Sequence, residues 1–262
     1  MRDLSSCTPI EVRQMIRNNE VKSPTAGMCH GYAQGNLVIL PKALAYDFLL
    51  FTQRNPKPCP VLEVSDVGIK TLKIAKDSDI ATDIPKYRVY KKGILEGEYD
   101  HLNSMWRTDF VSFILGCSFT FESALMDEGI GVRHIEQNCN VPMYVTDIMC
   151  EPAGIFSGPT VVSMRPMTPD KVIQAIRITS RYPGVHGAPI HIGDPGHIGI
   201  RDIHNPDFGD PVEIKANEIP VFWACGVTPQ AVAMKVKPEI MITHAPGHMF
   251  ITDIKNNQLA IV

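Results

Sequence analysis

The chain has 262 residues, 44% of them apolar and 20% charged, with a formal net charge of −3. That composition suits a globular core in one large domain or two modest ones and excludes a disordered chain. No block of basic residues is present, which argues against nucleic acid or an anionic membrane as a partner, and no apolar stretch approaches the roughly 20 residues of a membrane helix.

The N-terminus, "MRDLSSCTPIEV", lacks the apolar core of a secretory signal, so a cytoplasmic location is expected. Cys7, Cys29, Cys59, Cys117, Cys139, Cys150 and Cys225 include no Cys-x-x-Cys pair. They are read as free thiols rather than as disulfides or a cysteine zinc site. In "TPIEVRQMI" Thr8 caps a helix, Pro9 takes its first position and Glu11 closes a capping box. The next stretch, "AGMCHGYAQGN", has Gly27, Gly31 and Gly35, which let a backbone approach a ligand closely. Cys29, His30, Gln34 and Asn36 supply polar groups there; a packed glycine-rich segment would look the same.

"PKALAYDFLLFTQRNP" has helical spacing, "CPVLEVSD" reads as a strand, and "KYRVYKKGILEGEY" reads as a hairpin turning at Lys92-Gly93. "TDFVSFILG" and "FTFESALMDEG" are read as helices, the second ending at Gly129. "NVPMYVTDI" is a strand. Two segments then share one pattern of apolar strand, Thr-Pro helix, apolar strand and Pro-Gly-His corner. The first runs from "TVVSMRPM" through Thr168 to Pro195-Gly196-His197, the second from "IPVFWACGV" through Thr228 to Pro246-Gly247-His248. The expected fold class is α/β, two-lobed, with a mixed sheet core containing βαβ units. Residues 1–145 and 205–262 are expected to form the core, and 146–204 a smaller α+β lobe.

Loops beyond the carboxyl ends of parallel strands gather ligands. On that reading "ACGVT" and "THAPGH" share one sheet edge, and Cys225, Gly226, Thr228, His244 and His248 meet near one crevice. His197 would face them from the smaller lobe. His244 and His248 are four apart, but Pro246 and Gly247 between them exclude a helical HExxH site, so no metal is expected. Neither GxGxxG, nor GxxxxGK[ST], nor GxSxG occurs, so nucleotide binding and a serine-hydrolase elbow are unsupported.

"SPTAGMCHGYAQGNLVILP", "DFVSFILGCSFTFESAL", "VRHIEQNCNVPMY", "FSGPTVVSMRPM", "GAPIHIGDPGHIGI" and "EIPVFWACGVTPQAV" occur in order along the chain. Together they resemble the hydro-lyase family that includes the D-glutamate cyclase domain. The resemblance implies a two-part α/β fold and a carbon–oxygen lyase closing D-glutamate to 5-oxo-D-proline with loss of water, without a cofactor. The implied partner is a small carboxylate or amino acid; assembly into a homo-oligomer stays open. Such chemistry needs a cation for the carboxylate, a base for the amine and an acid for the leaving oxygen. Arg133 and Arg165 are the candidate clamps, with an internal salt bridge as the alternative for each. His248, His244 and His197 are the candidate bases. Glu122, between Phe121 and "SAL", is the candidate acid if an apolar setting raises its pKa, with Glu136 next. Cys117 is a candidate nucleophile, or simply packed. A binding or regulatory protein without catalysis, and a dehydratase of a hydroxy acid, are the rival functions.

Overall fold

A computed structural model describes residues 3–261. Met1 and Arg2 of the N-terminal reading, and Val262 at the end of the expected core, lie outside the described residues. In chain order the elements are α1 (Pro9–Arg17), β1 (Tyr32–Pro41), α2 (Lys42–Arg54), β2 (Val61–Val64), β3 (Tyr87–Lys91), β4 (Ile94–Tyr99), β5 (Phe110–Gly116), α3 (Phe119–Asp127) and α4 (Arg133–Glu136). There follow β6 (Met143–Met149), β7 (Pro159–Met167), α5 (Pro169–Thr179), β8 (His191–Ile192), β9 (Ile219–Ala224), α6 (Thr228–Val236), β10 (Ile240–His244) and β11 (Phe250–Lys255). Among the described residues no helix is long and apolar enough to cross a membrane.

Local signals behave as their chemistry requires. The Thr8 amide donates to Glu11 Oε2 at 2.9 Å, which starts α1 with the expected box. Lys92 and Gly93 have φ of +48° and +77°, the pair of left-handed residues that a two-residue hairpin turn demands. The end of α3 is a Schellman motif: Gly129 N donates to Met126 O and Ile130 N to Leu125 O, each at 2.9 Å. Residues 108–116 depart from expectation, because Phe110–Gly116 is strand β5 rather than a helix. Every residue of β5 is buried, and a short continuous apolar run carries no period that separates the two states.

Two sheets form. The larger has the order β2-β5-β1-β10-β3-β4 with β11 also on β1; the smaller has the order β6-β7-β9-β8. The α/β class with more than one lobe therefore stands. All pairings between these strands are antiparallel. Strands β7 and β8 flank β9 and each opposes it, so they run parallel to one another and β7-α5-β8 is a split βαβ unit. The second expected unit is not one. Strand β9 lies in the smaller sheet and β10 in the larger, so the connection through α6 crosses between sheets. The loops "ACGVT" and "THAPGH" thus do not leave adjacent parallel strands. The smaller sheet also takes β9 from beyond residue 205, so it is not confined to residues 146–204.

Both faces of the larger sheet are buried. Leu37 and Ile39 face one cluster with Ile80, Ile84 and Ile114; Val38 and Leu40 face another with Phe48, Phe51 and Val232. The smaller sheet packs Trp223 and Met167 against Phe121 and Leu125 on one side, and Val162 and Met164 against Ile198 and Ile200 on the other.

The repeated Pro-Gly-His corner serves two purposes. The first, Pro195–Ile198, is a 3₁₀ turn in which Asp194 accepts from Gly196 N at 2.8 Å. The second interrupts a line of pairing along β1. Strand β10 opposes Val38 and Ile39, β11 opposes Tyr32 to Gly35, and residues 245–249 bulge between them. At the gap Leu37 N donates to His244 Nδ1 at 3.1 Å, so the imidazole stands where a ladder carbonyl would be. Replacing His244 with Ala leaves that buried amide unbonded. The expected cost is about 1–3 kcal/mol of stability, read as a lowered urea midpoint with an unchanged slope.

Candidate active site

Strand β7 places Ser163 and Arg165 on one face of the smaller sheet, two residues apart, as the strand period dictates. Arg165 is only 1% exposed. Helix α3 packs on that face and brings Ser118 and Glu122. Arg165 Nε donates to Glu122 Oε1 at 2.9 Å, Nη1 to Ser163 Oγ at 2.9 Å and Nη2 to Ser118 Oγ at 3.0 Å, while Nη2 also reaches the same Glu122 oxygen. The guanidinium lies 5.2 Å from the Phe121 ring centroid and 5.4 Å from that of Trp223. Such cation–π contacts help a desolvated cation.

The one-turn helix α4 adds His134, which is 2% exposed. Its Nε2 lies 3.6 Å from Glu122 Oε2, within ion-pair reach but too long for a hydrogen bond, and neither ring nitrogen has a hydrogen-bond partner. Burial pushes the Glu122 carboxyl up, but Arg165 and His134 outweigh it and hold the group well below the usual carboxylate range. The expectation of a raised pKa here is therefore reversed: the apolar neighbours are real, but a buried cation comes with them. At rest Glu122 is therefore an ionised acceptor rather than a protonated acid.

Glu122 lines a cavity of about 80 Å³ together with Ser123, Phe119, Cys29, His30 and Gln34. An outer cavity of about 390 Å³ shares His30, Gly31 and Ser123 with it and extends to Tyr182, Lys255 and Asn256. The glycine-rich loop is fixed from behind. Gln34 Nε2 donates to Thr25 O at 2.9 Å, Thr25 Oγ1 donates to Gln34 Oε1 at 2.7 Å, and Thr25 N donates to Gly247 O at 2.8 Å. Gly27, Cys29 and Gly31 hold φ of +78°, +48° and +82°, which turns the loop over the cavity.

The other expected site residues are placed elsewhere. Arg133 is consumed by Glu136 Oε2 at 3.1 Å, Glu218 Oε1 at 2.5 Å and Glu213 O at 2.9 Å. Arg165 is likewise committed to its internal pair, so neither arginine presents a free fork. Asn36 donates to Gly116 O at 2.6 Å and packs on Gly226, where a Cβ would fall 2.0 Å from Asn36 Nδ2. Thr228 opens α6 instead of capping it, donating to Cys225 O at 2.8 Å and accepting from Val161 N at 3.0 Å. Burial pushes the Cys225 thiol up to about 11 and Cys29 up to about 12. Cys117 is raised further by the same cause, against the thiolate expected at a helix start.

His248 is half-buried and its Nδ1 donates to Pro246 O at 3.0 Å. His197 is exposed, with Nε2 3.9 Å from Asp194 Oδ2. Neither these two nor His244 line the two cavities. The structure instead unites Glu122 with the Cys29-His30 loop. Sequence reasoning passed over His134, Ser118, Ser163 and Ser123. The Ser-x-Arg spacing inside a buried strand was the available signal that Ser163 bonds the Arg165 guanidinium.

The structure thus sets an acidic residue, held ionised by a buried arginine, in the lining of a small cavity beside the glycine-rich loop. The comparisons give the chain a family. A D-glutamate cyclase family model matches residues 111–253, a span that contains Glu122, His134 and Arg165. A Clostridium beijerinckii protein described as "Putative hydro-lyase" is 64% identical over 255 residues, covering 97% of each chain. A Bacillus subtilis protein, "Putative hydro-lyase YcsI", is 59% identical over 97% of this chain and 99% of its own. The chain belongs to this D-glutamate cyclase family of hydro-lyases. A solved nitrogen repressor-like protein of Methanococcus jannaschii overlaps with a TM-score of 0.36 at 8% identity, covering 92% of this chain and 97% of its own, and carries no argument.

Acid sensitivity follows from the buried groups. Burial lowers His186 to about 4 and His244 to about 3, below the ordinary 6.5, so the unfolded chain takes up these protons first. Stability should therefore fall as pH drops below 6.5 and keep falling towards 3. Glu122, held below its ordinary 4.5, adds to the loss in the lower part of that window. Urea midpoints measured from pH 7 to pH 4 should fall steadily. His244→Gln, which keeps an acceptor but does not titrate, should flatten the slope.

Proposed function

We propose that the chain is a hydro-lyase acting on a small amino-dicarboxylate, converting D-glutamate to 5-oxo-D-proline and water. The observation that carries this reading is the ionised Glu122 carboxylate in the inner cavity. A carboxylate there attracts the substrate ammonium and accepts its hydrogen bond. His134, directly behind Glu122 with both ring nitrogens unpartnered, takes the proton through it. The freed amine attacks the side-chain carboxyl carbon; the C–N bond forms, the attacking nitrogen gives up a second proton, and the C–O bond breaks as the departing oxygen takes up both protons and leaves as water. The Ser123 hydroxyl, which lines both cavities, is the donor for the oxyanion. The net change is amide formation, so no redox or group-carrying cofactor is needed.

In this proposal the catalytic histidine is His134. His244 is bound to a backbone amide, His248 to a backbone carbonyl, and His197 stands in solvent. A small-molecule substrate and a cytoplasmic site of action complete the reading.

Purified protein incubated with D-glutamate, and with L-glutamate in parallel, should yield 5-oxoproline detectable by NMR. Glu122→Gln keeps the shape and an acceptor for Arg165, and should lower turnover by about 10²–10⁴-fold. His134→Gln should do likewise, and circular dichroism should show both variants folded. Full activity in a folded Glu122→Gln protein would overturn the proposal.

A further inference from the structure

We infer that the outer cavity is a carboxylate subsite whose anchor is Lys255, so that the site takes an α-amino acid by both ends of its charge. The inference rests on the proposed reaction for the position of the ammonium. The inner cavity, at about 80 Å³, is small. A dicarboxylic amino acid whose ammonium meets Glu122 must extend past His30, Gly31 and Ser123 into the outer one, since these residues line both.

The outer wall is built for a polar ligand. Thr120 Oγ1, on a residue 1% exposed, has no hydrogen-bond partner, and neither does Asn256 Oδ1. Buried polar atoms are ordinarily bonded, so the unbonded Thr120 hydroxyl in the lining of this cavity points to a ligand acceptor, whereas Asn256 Oδ1 can only accept and takes no part in holding a carboxylate. The Thr120 hydroxyl can donate to a carboxylate oxygen.

Lys255 supplies the charge. Among the described residues it forms no ion pair, and its Nζ lies 3.6 Å from the Tyr32 ring centroid. That ring orients the ammonium at the cavity rim without neutralising it. Asp127 lines the cavity from the α3 side and repels a carboxylate, which leaves the Lys255 side for it. The position is fixed by backbone: Tyr32 pairs with Lys255 across β1 and β11, and Asn256 N donates to Gly31 O at 2.9 Å.

Calorimetric titration with D-glutamate and with its α-amide, which lacks the α-carboxylate charge, tests this directly. The unmodified protein should bind D-glutamate about 10- to 100-fold more tightly than the amide, the value of a charge-assisted hydrogen bond. Lys255→Met should erase that preference and leave the amide's affinity unchanged, Lys255→Arg should restore most of it, and Thr120→Val should weaken D-glutamate binding several-fold. Lys255 is exposed, so both of its variants should fold normally, and circular dichroism checks the fold of the buried Thr120→Val variant. Equal affinity of the unmodified protein for the two compounds, binding of neither, or D-glutamate binding unaltered in Lys255→Met would overturn the inference. Discrimination without any 5-oxoproline would sustain the subsite and overturn the reaction instead, which separates the two failures.

Discussion

A charged side chain inside a sheet imposes obligations on everything near it. Arg165 sits mid-strand in β7, with β9 on one side and β6 on the other, where water cannot reach it. Desolvating a guanidinium costs several kcal/mol unless an opposite charge and further acceptors meet it. Glu122, Ser118 and Ser163 are those partners, and Glu122 and Ser118 arrive together because α3 and its N-cap residue dock on that face. The pair need not make the fold more stable than an apolar core of equal volume would. What it determines is the place and orientation of α3. That in turn fixes Phe121 under Trp223 and turns the second carboxylate oxygen towards His134.

From α3 the constraint passes to the larger sheet. The inner cavity has α3 on one side and the loop of residues 26–31 on the other, and that loop has no regular secondary structure to hold it. Thr25 does the holding. It bonds Gly247 and Gln34, and its Oγ1 accepts from Met249 N at 2.9 Å. The interruption between β10 and β11 is thus what makes backbone groups available for the loop. The buried Leu37 amide, left without a ladder partner by the same interruption, is satisfied by His244. Gly247, at φ of +81°, leaves no room for a side chain, since a Cβ there would fall 2.4 Å from Asn140 Oδ1. A Pro-Gly-His corner that invites a catalytic reading is in physical terms a splice.

The same contrast explains what could be read from the sequence. The Thr8 capping box, the Lys92-Gly93 hairpin and the Gly129 stop were legible because each depends on a few adjacent residues. Strand β5 was not, since "FVSFIL" is apolar but for Ser112 and only its place between β1 and β2 decides its state. The α/β class was legible from alternating elements, but the pairing of β10 with β1 and β3, and not with β9, depends on contacts across the whole chain. In the site, Glu122, Arg165, Cys29 and His30 were all named, yet as separate candidates. Their roles came out differently because a pKa depends on the neighbour. An apolar sequence context around Glu122 raised the carboxyl on paper, and a cation from residue 165 lowers it in space.

That inversion also constrains the chemistry. With Glu122 held far below neutral pH, and the thiols of Cys29, Cys117 and Cys225 held far above it, none of these four groups changes charge in the working range. A general acid–base catalyst works best when its pKa lies near the operating pH. His30 lines this cavity and His134 stands against Glu122, so these are the two imidazoles beside it. His30 is exposed on the loop and shared by both cavities, whereas His134 is sealed behind the carboxylate. In the proposed reaction the sealed one would keep the proton away from bulk water between its removal from the amine and its delivery to the leaving oxygen. A reaction that expels water from a carboxyl in an aqueous cell gains from that isolation, because the proton is not exchanged or lost while the ring closes. In the proposed reaction the fixed negative charge of Glu122 would have two tasks at once: drawing the ammonium into a small cavity, and stabilising the imidazolium formed behind it.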